Sequence, residues 1–119
     1  MRPEDRWLGD LRDAAAAVIA FLEGYSKAEF LQDPKTRSAV LQQLTVIGEA
    51  AARLPLEFRR AHPSVDWPSI IAFRNRAVHA YFKTDWNIVW DTAQRNVPSL
   101  VEQITHILDD EYPAEDAQE

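Results

Sequence analysis

The residues best suited to chemistry lie close together in the segment Trp67–Phe82. Arg74 carries a guanidinium, which can bind a phosphate through two parallel hydrogen bonds. His79 carries an imidazole, which takes up and releases a proton near neutral pH. Asn75 precedes His79 by four residues, so the two are neighbours on one edge of a helix. The three residues predict an anion site with a phosphate-binding guanidinium, a proton-transferring imidazole and an orienting amide.

The same segment also has a purely structural interpretation. At about 100° per residue, Arg74 lies in the middle of an apolar helix face made by Ile70, Ile71, Phe73, Ala77, Val78 and Tyr81. A guanidinium on a buried face is costly unless it is paired. Glu49, on the core side of the preceding long helix, is the internal candidate to support Arg74. The residue pattern alone leaves the anion site and the core ion pair as open alternatives.

Two amphipathic helices are predicted before this segment. The first has the apolar stripe Leu8, Leu11, Ala15, Val18 and Leu22, and Gly24 follows as its stop. The pair Asp33-Pro34 opens the second, because aspartate caps a helix and proline fits its first position. Its stripe is Val40, Leu44, Ile47, Ala51 and Leu54, and Pro55 ends it. A short helical turn is expected between the two helices at Ser26–Glu29, which has the pattern of a capping box. A second short turn is expected after Pro55, at Leu56–Arg60 in the connector.

Two more helices complete the predicted fold. The third is expected from Trp67 to about Ala80 and the fourth from about Asp85 to Asp110. Pro98 removes a backbone donor inside the fourth helix, which predicts a kink near Gln94–Asn96. The predicted fold class is therefore all-α: an antiparallel four-helix bundle with a short extra helical turn and a kinked last helix. We expect one domain over residues 1–112 and an acidic, disordered tail over residues 113–119.

Composition narrows the possible functions. The chain has 119 residues, of which 46% are hydrophobic and 27% charged, as in an ordinary globular protein. It has no cysteine, which excludes disulfides, zinc–thiolate sites and cysteine nucleophiles. No uncharged apolar run is long enough to span a membrane, and the acidic start, MRPEDRWLGDLRD, is unlike a secretory signal. These features predict a cytoplasmic protein without a membrane partner.

Charge is distributed unevenly along the chain. The formal net charge is −6, and six acids without any base lie in Asp109–Glu119. Residues 53–83 instead hold six basic residues against two acidic ones. The overall acidity therefore does not exclude a basic central patch, although on charge alone such a patch is most often a solvated face.

The motif and its surroundings resemble a known family. The run Arg74-Asn75-Arg76-Ala77-Val78-His79-Ala80-Tyr81 resembles the Arg-x4-His-x-Tyr signature of HepT-type toxins, members of the HEPN superfamily. Val46–Ala50 followed by Arg53-Leu54-Pro55 is similar to the family's second-helix segment. Asp66-Trp67 and Ile88-Val89-Trp90 are also similar to the family, so that the resemblance covers nearly the whole chain.

The resemblance implies a ribonuclease. It implies a helical bundle that forms a homodimer, in which the motifs of two protomers face each other across a cleft. Arg74 and His79 would be catalytic and Asn75 would assist in metal-independent cleavage of an RNA substrate. No cofactor is implied, and the sequence has no carboxylate cluster or histidine pair at metal-ligand spacing. Possible contacts to the RNA backbone are Arg59, Arg60, Arg76 and Lys83.

The resemblance also implies a partner and a switch. HepT toxins act with a MntA-type nucleotidyltransferase antitoxin, which adds AMP to the motif tyrosine; by position that tyrosine is Tyr81. The expected function is the endoribonuclease toxin of a type VII toxin–antitoxin pair. The alternative is a non-catalytic, nucleotide-binding subunit of a two-protein nucleotidyltransferase, in which Arg74 and His79 hold a nucleotide phosphate.

The remaining histidines and tryptophans have simpler interpretations. His62 precedes a proline in a connector and His106 lies on a polar helix face, so both are expected at the surface. Trp7, Trp67, Trp86 and Trp90 are expected to pack in the core or at a dimer interface rather than to stack on bases.

Overall fold

The computed structural model describes residues 3–79 and 84–113, and at residue 3 and residues 75–79 it describes the backbone alone. Six helices follow one another in the described residues: α1 (Pro3–Leu22), α2 (Lys27–Leu31), α3 (Pro34–Arg53), α4 (Leu56–Ala61), α5 (Trp67–His79) and α6 (Trp86–Glu111). The predicted all-α bundle is confirmed, with α1, α3, α5 and α6 as its four long helices. Two short helices, α2 and α4, accompany them at the two places where a short helical turn was expected.

The helix boundaries follow the capping residues. Gly24 has a φ of 82°, a left-handed conformation that lets the chain leave α1 without strain. Ser26 forms the predicted capping box with Glu29 at the start of α2. Asp33 accepts the backbone N–H of Thr36 at the start of α3, and Asp85 accepts that of Asn87 at the start of α6. Helix α6 continues through Pro98, and the kink near Gln94–Asn96 stays a prediction.

The core lies where α1 packs against α3 and α6. Its fully enclosed side chains are apolar, and no polar or charged residue among the described ones is buried. Phe30 of α2 is completely buried and contacts the rings of Trp86 and Trp90, with centroids 6.3 and 5.3 Å away. Helix α5 packs against α3. The motif helix is therefore held to the bundle mainly by one neighbour.

His62 differs from its expected surface position. Its side chain is only 12% exposed, and its Nε2 lies 2.7 Å from Oε2 of Glu111 at the end of α6. Its Nδ1 lies 2.9 Å from the Phe58 carbonyl oxygen. Both ring nitrogens therefore face acceptors, and only the doubly protonated imidazolium donates to both. Burial by itself lowers the pKa of His62, but the hydrogen bonds to Glu111 and Phe58 and the charge of Glu111 raise it above its ordinary value.

The raised pKa of His62 predicts a pH-dependent contribution to the free energy of unfolding. The contribution is complete below the unfolded-state pKa of 6.5 and is lost as the pH rises through the folded-state pKa. We expect His62→Gln to flatten this part of the stability profile and to lower stability at pH 6 by about 1 kcal/mol, the size of one hydrogen bond. Urea unfolding at several pH values between 5 and 9 (roughly the range over which a raised histidine pKa acts) measures the effect.

His106→Gln is the matched control for this experiment. The side chain of His106 is 81% exposed and lies 3.4 Å from Asp110, so its position agrees with the sequence-based prediction. Its replacement removes a histidine and leaves the contacts of His62 with Phe58 and Glu111 in place. Equal pH profiles for His62→Gln and the wild type would contradict the role assigned to the His62–Glu111 pair.

Candidate active site

Helix α5 carries the candidate catalytic residues, and the last of them, His79, is the last residue described in this part of the chain. It begins after Asp66, whose Oδ1 lies 3.3 Å from the backbone nitrogen of Ser69, and it extends to His79. His79 follows Arg74 by five positions, which places the two about 7.5 Å apart along the helix axis and about 140° apart around it. Arg74, Asn75, Arg76 and His79 thus share one continuous helix.

Arg74 is held where α5 crosses α3. Its side chain is half-buried, and the carbons next to its backbone lie directly over Gly48 of α3. A Cβ atom added at Gly48 would lie 2.7 Å from Cγ of Arg74 and closer still to its Cβ. Two helices approach this closely only where one of them lacks a side chain. Gly48 therefore fixes the base of the arginine side chain, a role that the sequence pattern did not reveal.

The guanidinium of Arg74 has a hydrogen-bond donor that no described residue accepts from. Its Nε is buried and has no hydrogen-bond partner in the described part of the chain. Glu49, the predicted internal support, is exposed, and residues 3–79 and 84–113 contain no ion pair between the two. The described residues therefore do not form the core ion pair. A buried donor without a partner is costly, and a phosphate oxygen is the type of acceptor that relieves this cost.

The basic residues of α4 lie beside the end of α3. Arg59 is half-buried, and its Nε donates to the Leu54 carbonyl oxygen at 3.2 Å. Arg60 is exposed. Arg53, at the end of α3, places its guanidinium carbon 5.0 Å from the centre of the Trp7 ring. Arg59 thus has a structural role in addition to the RNA contact predicted for it, whereas the Arg60 side chain makes no hydrogen bond or ion pair with the residues that the structure describes.

Two predicted site residues lie outside the described residues: Tyr81, the expected modification site, and Lys83. For Asn75, Arg76 and His79 the structure places the helix positions only. Among the described residues no group of three or more His, Asp or Glu side chains has metal-binding geometry. No helix in the described parts of the chain combines the length and the hydropathy needed to cross a membrane.

The packing roles expected of the four tryptophans are confirmed. Trp67 is 3% exposed, and its Nε1 donates to the His62 carbonyl oxygen at 2.9 Å. Trp86 and Trp90 contact Phe30, as described above. Trp7 packs against the core as well, and the guanidinium of Arg53 lies over its ring. These rings hold helices together, which leaves base stacking to other residues.

The fold and the site together define a helical bundle with an arginine and a histidine on one helix, which packs mainly against one neighbour. Over residues 11–107 the chain matches the family described as "Ribonuclease HepT-like". It belongs to this family, as its resemblance to HepT-type proteins predicted. No solved structure matches the chain significantly.

Curated relatives are similar over most of their length. A protein of Thermococcus cleftensis named "Probable ribonuclease HepT" is 34% identical over 99 residues, which cover 83% of this chain and 90% of the relative. A protein of Caldanaerobacter subterraneus subsp. tengcongensis named "Putative RNase" is 36% identical, over 79% of this chain and 84% of the relative. One of Methanocaldococcus jannaschii with the same type of name is 35% identical, over 87% of this chain and 86% of the relative.

Proposed function

We propose that this protein is a metal-independent endoribonuclease and the toxin of a HepT/MntA-type toxin–antitoxin pair. The observation that carries the proposal is the state of Arg74: a half-buried arginine whose Nε has no partner in the described residues, on the helix that also carries His79. An arginine in this state is suited to bind an anion. Membership of the HepT-like ribonuclease family supports the phosphate of an RNA backbone as that anion.

The reaction uses the nucleophile that RNA itself provides. A base removes the proton of the 2′-hydroxyl, whose oxygen attacks the adjacent phosphorus. The bond from phosphorus to the 5′-oxygen breaks, and an acid gives that oxygen a proton. The products are a 2′,3′-cyclic phosphate and a 5′-hydroxyl. His79 acts as base or acid, Arg74 stabilises the charge that grows on the phosphoryl oxygens, and Asn75 orients the imidazole or the phosphate.

A homodimer provides the second histidine that the reaction needs. The motif has one histidine, while the reaction needs a base and an acid. In addition, the positions of Arg74 and His79 are about 140° apart around α5. A two-fold axis near this helix brings a second arginine and a second histidine to the same cleft. The basic residues Arg59, Arg60, Arg76 and Lys83 then contact the RNA backbone on either side.

Regulation acts through Tyr81. This residue follows His79 by two positions, so an AMP group on its hydroxyl adds bulk and negative charge beside the catalytic histidine. The phosphate of that AMP competes with RNA for Arg74. A MntA-type nucleotidyltransferase is the partner that transfers AMP from ATP to the tyrosine oxygen and releases pyrophosphate.

Intact-mass spectrometry tests the proposed switch. Co-expression with the partner nucleotidyltransferase is expected to add at least one AMP to the wild-type chain and none to Tyr81→Phe. The wild-type protein then loses RNA cleavage, because the cleft is filled, and Tyr81→Phe keeps it. Tyr25→Phe is the matched control, because that tyrosine lies between α1 and α2, where its hydroxyl donates to Asp33 at the start of α3 at 2.8 Å.

Two results would contradict this function. AMP on Tyr25 or Tyr112 in place of Tyr81 would overturn the assignment of the switch. An unmodified wild-type protein that binds a nucleotide but cleaves no RNA would favour the alternative, a nucleotide-binding subunit of a two-protein nucleotidyltransferase.

A further inference from the structure

A groove of about 300 Å³ runs between α5 and α6, and side chains of α3 form its floor. It exists because α5 packs against α3 while α6 packs against α1, which leaves the seam between α5 and α6 open. Ile47 and Leu44 lie at its floor, and Ile70, Phe73 and Val97 form its walls. The groove is thus an apolar slot in a chain whose other described apolar side chains are largely packed together.

The groove lies beside the candidate active site, although Arg74 and Gly48 do not themselves line it. Phe73 lines it and directly precedes Arg74, the proposed phosphate ligand. Ile47 lines it as well and directly precedes Gly48, the residue under the base of the Arg74 side chain. A nucleotide whose phosphate binds Arg74 therefore has its base within reach of this slot.

The rim of the groove is polar, and this decides the kind of occupant. Asp66, Ser69 and Asn96 line it and are exposed, with Thr92 and Gln103 beside them. Gln103 already has a hydrogen-bond partner, because its Nε2 donates to the Ser64 carbonyl oxygen at 2.8 Å. An apolar partner helix would bury the other groups without partners, at a cost for each. A flat ring with a polar edge covers the apolar walls of the groove, and its edge forms hydrogen bonds with the polar side chains at the rim.

The size of the groove agrees with such an occupant. A volume of about 300 Å³ lies at the lower end of small-molecule sites. It accepts one base with its ribose, whereas a helix about 10 Å across does not fit. Proteins that bind single-stranded RNA commonly take up unpaired bases by stacking them on aromatic rings and reading their edges through hydrogen bonds.

We infer that the α5/α6 groove binds one unpaired base of the RNA, next to the phosphate held by Arg74, and that it selects guanine. This inference rests on the proposed function, since it supposes that RNA is the substrate. Phe73 provides the ring face. The carboxylate of Asp66 accepts from the two adjacent donors, N1–H and N2–H, on the Watson–Crick edge of guanine, and its Oδ1 uses a second lone pair for this while it keeps its contact with the Ser69 backbone nitrogen. Uracil presents carbonyl oxygens on either side of its single N–H, and these repel a carboxylate.

Cleavage of an RNA pool with randomised positions measures this selection when the cut ends are sequenced. The wild type is expected to prefer guanine at one position beside the cut. Asp66→Asn is expected to lower that preference by about tenfold, the size of one lost bidentate base contact. Asparagine caps a helix as well as aspartate does, so α5 keeps its start. Asp85→Asn, which changes the cap of α6 outside the groove, is the matched control and is expected to keep the preference.

A binding experiment separates failure of this inference from failure of the proposed function. Fluorescence anisotropy with His79→Ala compares two short unstructured RNAs that differ only in carrying guanine or uracil at one position. Tighter binding of the guanine RNA, lost in His79→Ala/Asp66→Asn, supports the groove even if the wild type cleaves nothing. Equal binding of both RNAs, or a preference unchanged by Asp66→Asn, overturns the inference while leaving RNA cleavage intact.

Ser69→Trp tests the other possible occupant. The new ring fills the groove from its rim, and we expect it to abolish the base preference while light scattering shows the same oligomeric state as the wild type. Dissociation of a dimer by Ser69→Trp would instead show that a second copy of the chain occupies the groove, and the inference would be wrong.

Discussion

The His79→Ala variant is expected to lose RNA cleavage by about 100- to 10,000-fold, the usual effect of removing a general acid or base, while its helical circular-dichroism spectrum stays unchanged. Arg74→Ala is expected to lose cleavage to a similar degree, because no other group replaces its charge at the phosphate. The bundle should tolerate this change, since Arg74 has no ion pair with Glu49 in the described residues that its loss would break. Gel assays on a labelled RNA measure both effects.

A mixture of the two inactive variants tests whether each site is built from two chains. Unfolded together and refolded, His79→Ala and Arg74→Ala form mixed dimers whose shared cleft keeps one arginine and one histidine, whereas each variant's own homodimer has none of one type. Part of the wild-type activity should then return. No recovery would mean that Arg74 and His79 act within one chain.

Activity should also persist in EDTA, because the proposed mechanism uses no metal ion. Cleavage that is lost with the chelator and restored by a divalent ion would contradict the metal-independent mechanism.

The helices were predictable because their signals are local. Apolar stripes repeat with the helical period, and Ser26, Asp33 and Asp85 cap helices within three residues of their own positions. Asp33 is the strongest example: hydrogen bonds from Thr36 and Tyr25 lower the pKa of its carboxyl to about 2. Such caps depend on neighbours in sequence, and a sequence pattern records them directly.

Contacts between distant segments were not predictable in the same way. His62 and Glu111 are 49 residues apart, and nothing in the proline-bounded connector around His62 indicates that the end of α6 packs onto it. The open seam between α5 and α6 was also missed, since an apolar stripe shows which face of a helix is buried but not how completely its neighbour covers it. The site motif itself was recognisable, because Arg74, Asn75 and His79 are close in sequence.

Gly48→Ala is expected to destabilise the protein and to disturb the site. Alanine in a helix normally gains up to about 1 kcal/mol over glycine. Here the added Cβ would overlap Cβ of Arg74 and lie 2.7 Å from its Cγ. Cβ of Arg74 is fixed to the α5 backbone, so the helix has to move away from α3. Overpacking of this kind costs about 1–3 kcal/mol, which outweighs the helical gain. Urea unfolding measures the free energy, and the cleavage assay measures the displacement of Arg74.

Gly9→Ala is the matched control, because Gly9 lies inside α1 and an added Cβ meets nothing within 4 Å. This substitution is expected to raise the free energy of unfolding by about 0.5–1 kcal/mol, the ordinary difference between alanine and glycine in a helix. It should also leave cleavage at the wild-type rate. A Gly48→Ala protein that gains as much stability as Gly9→Ala and keeps full activity would show that α3 and α5 do not cross as closely as described. The opposite signs expected for two glycine-to-alanine changes separate the effect of the crossing from that of helix propensity.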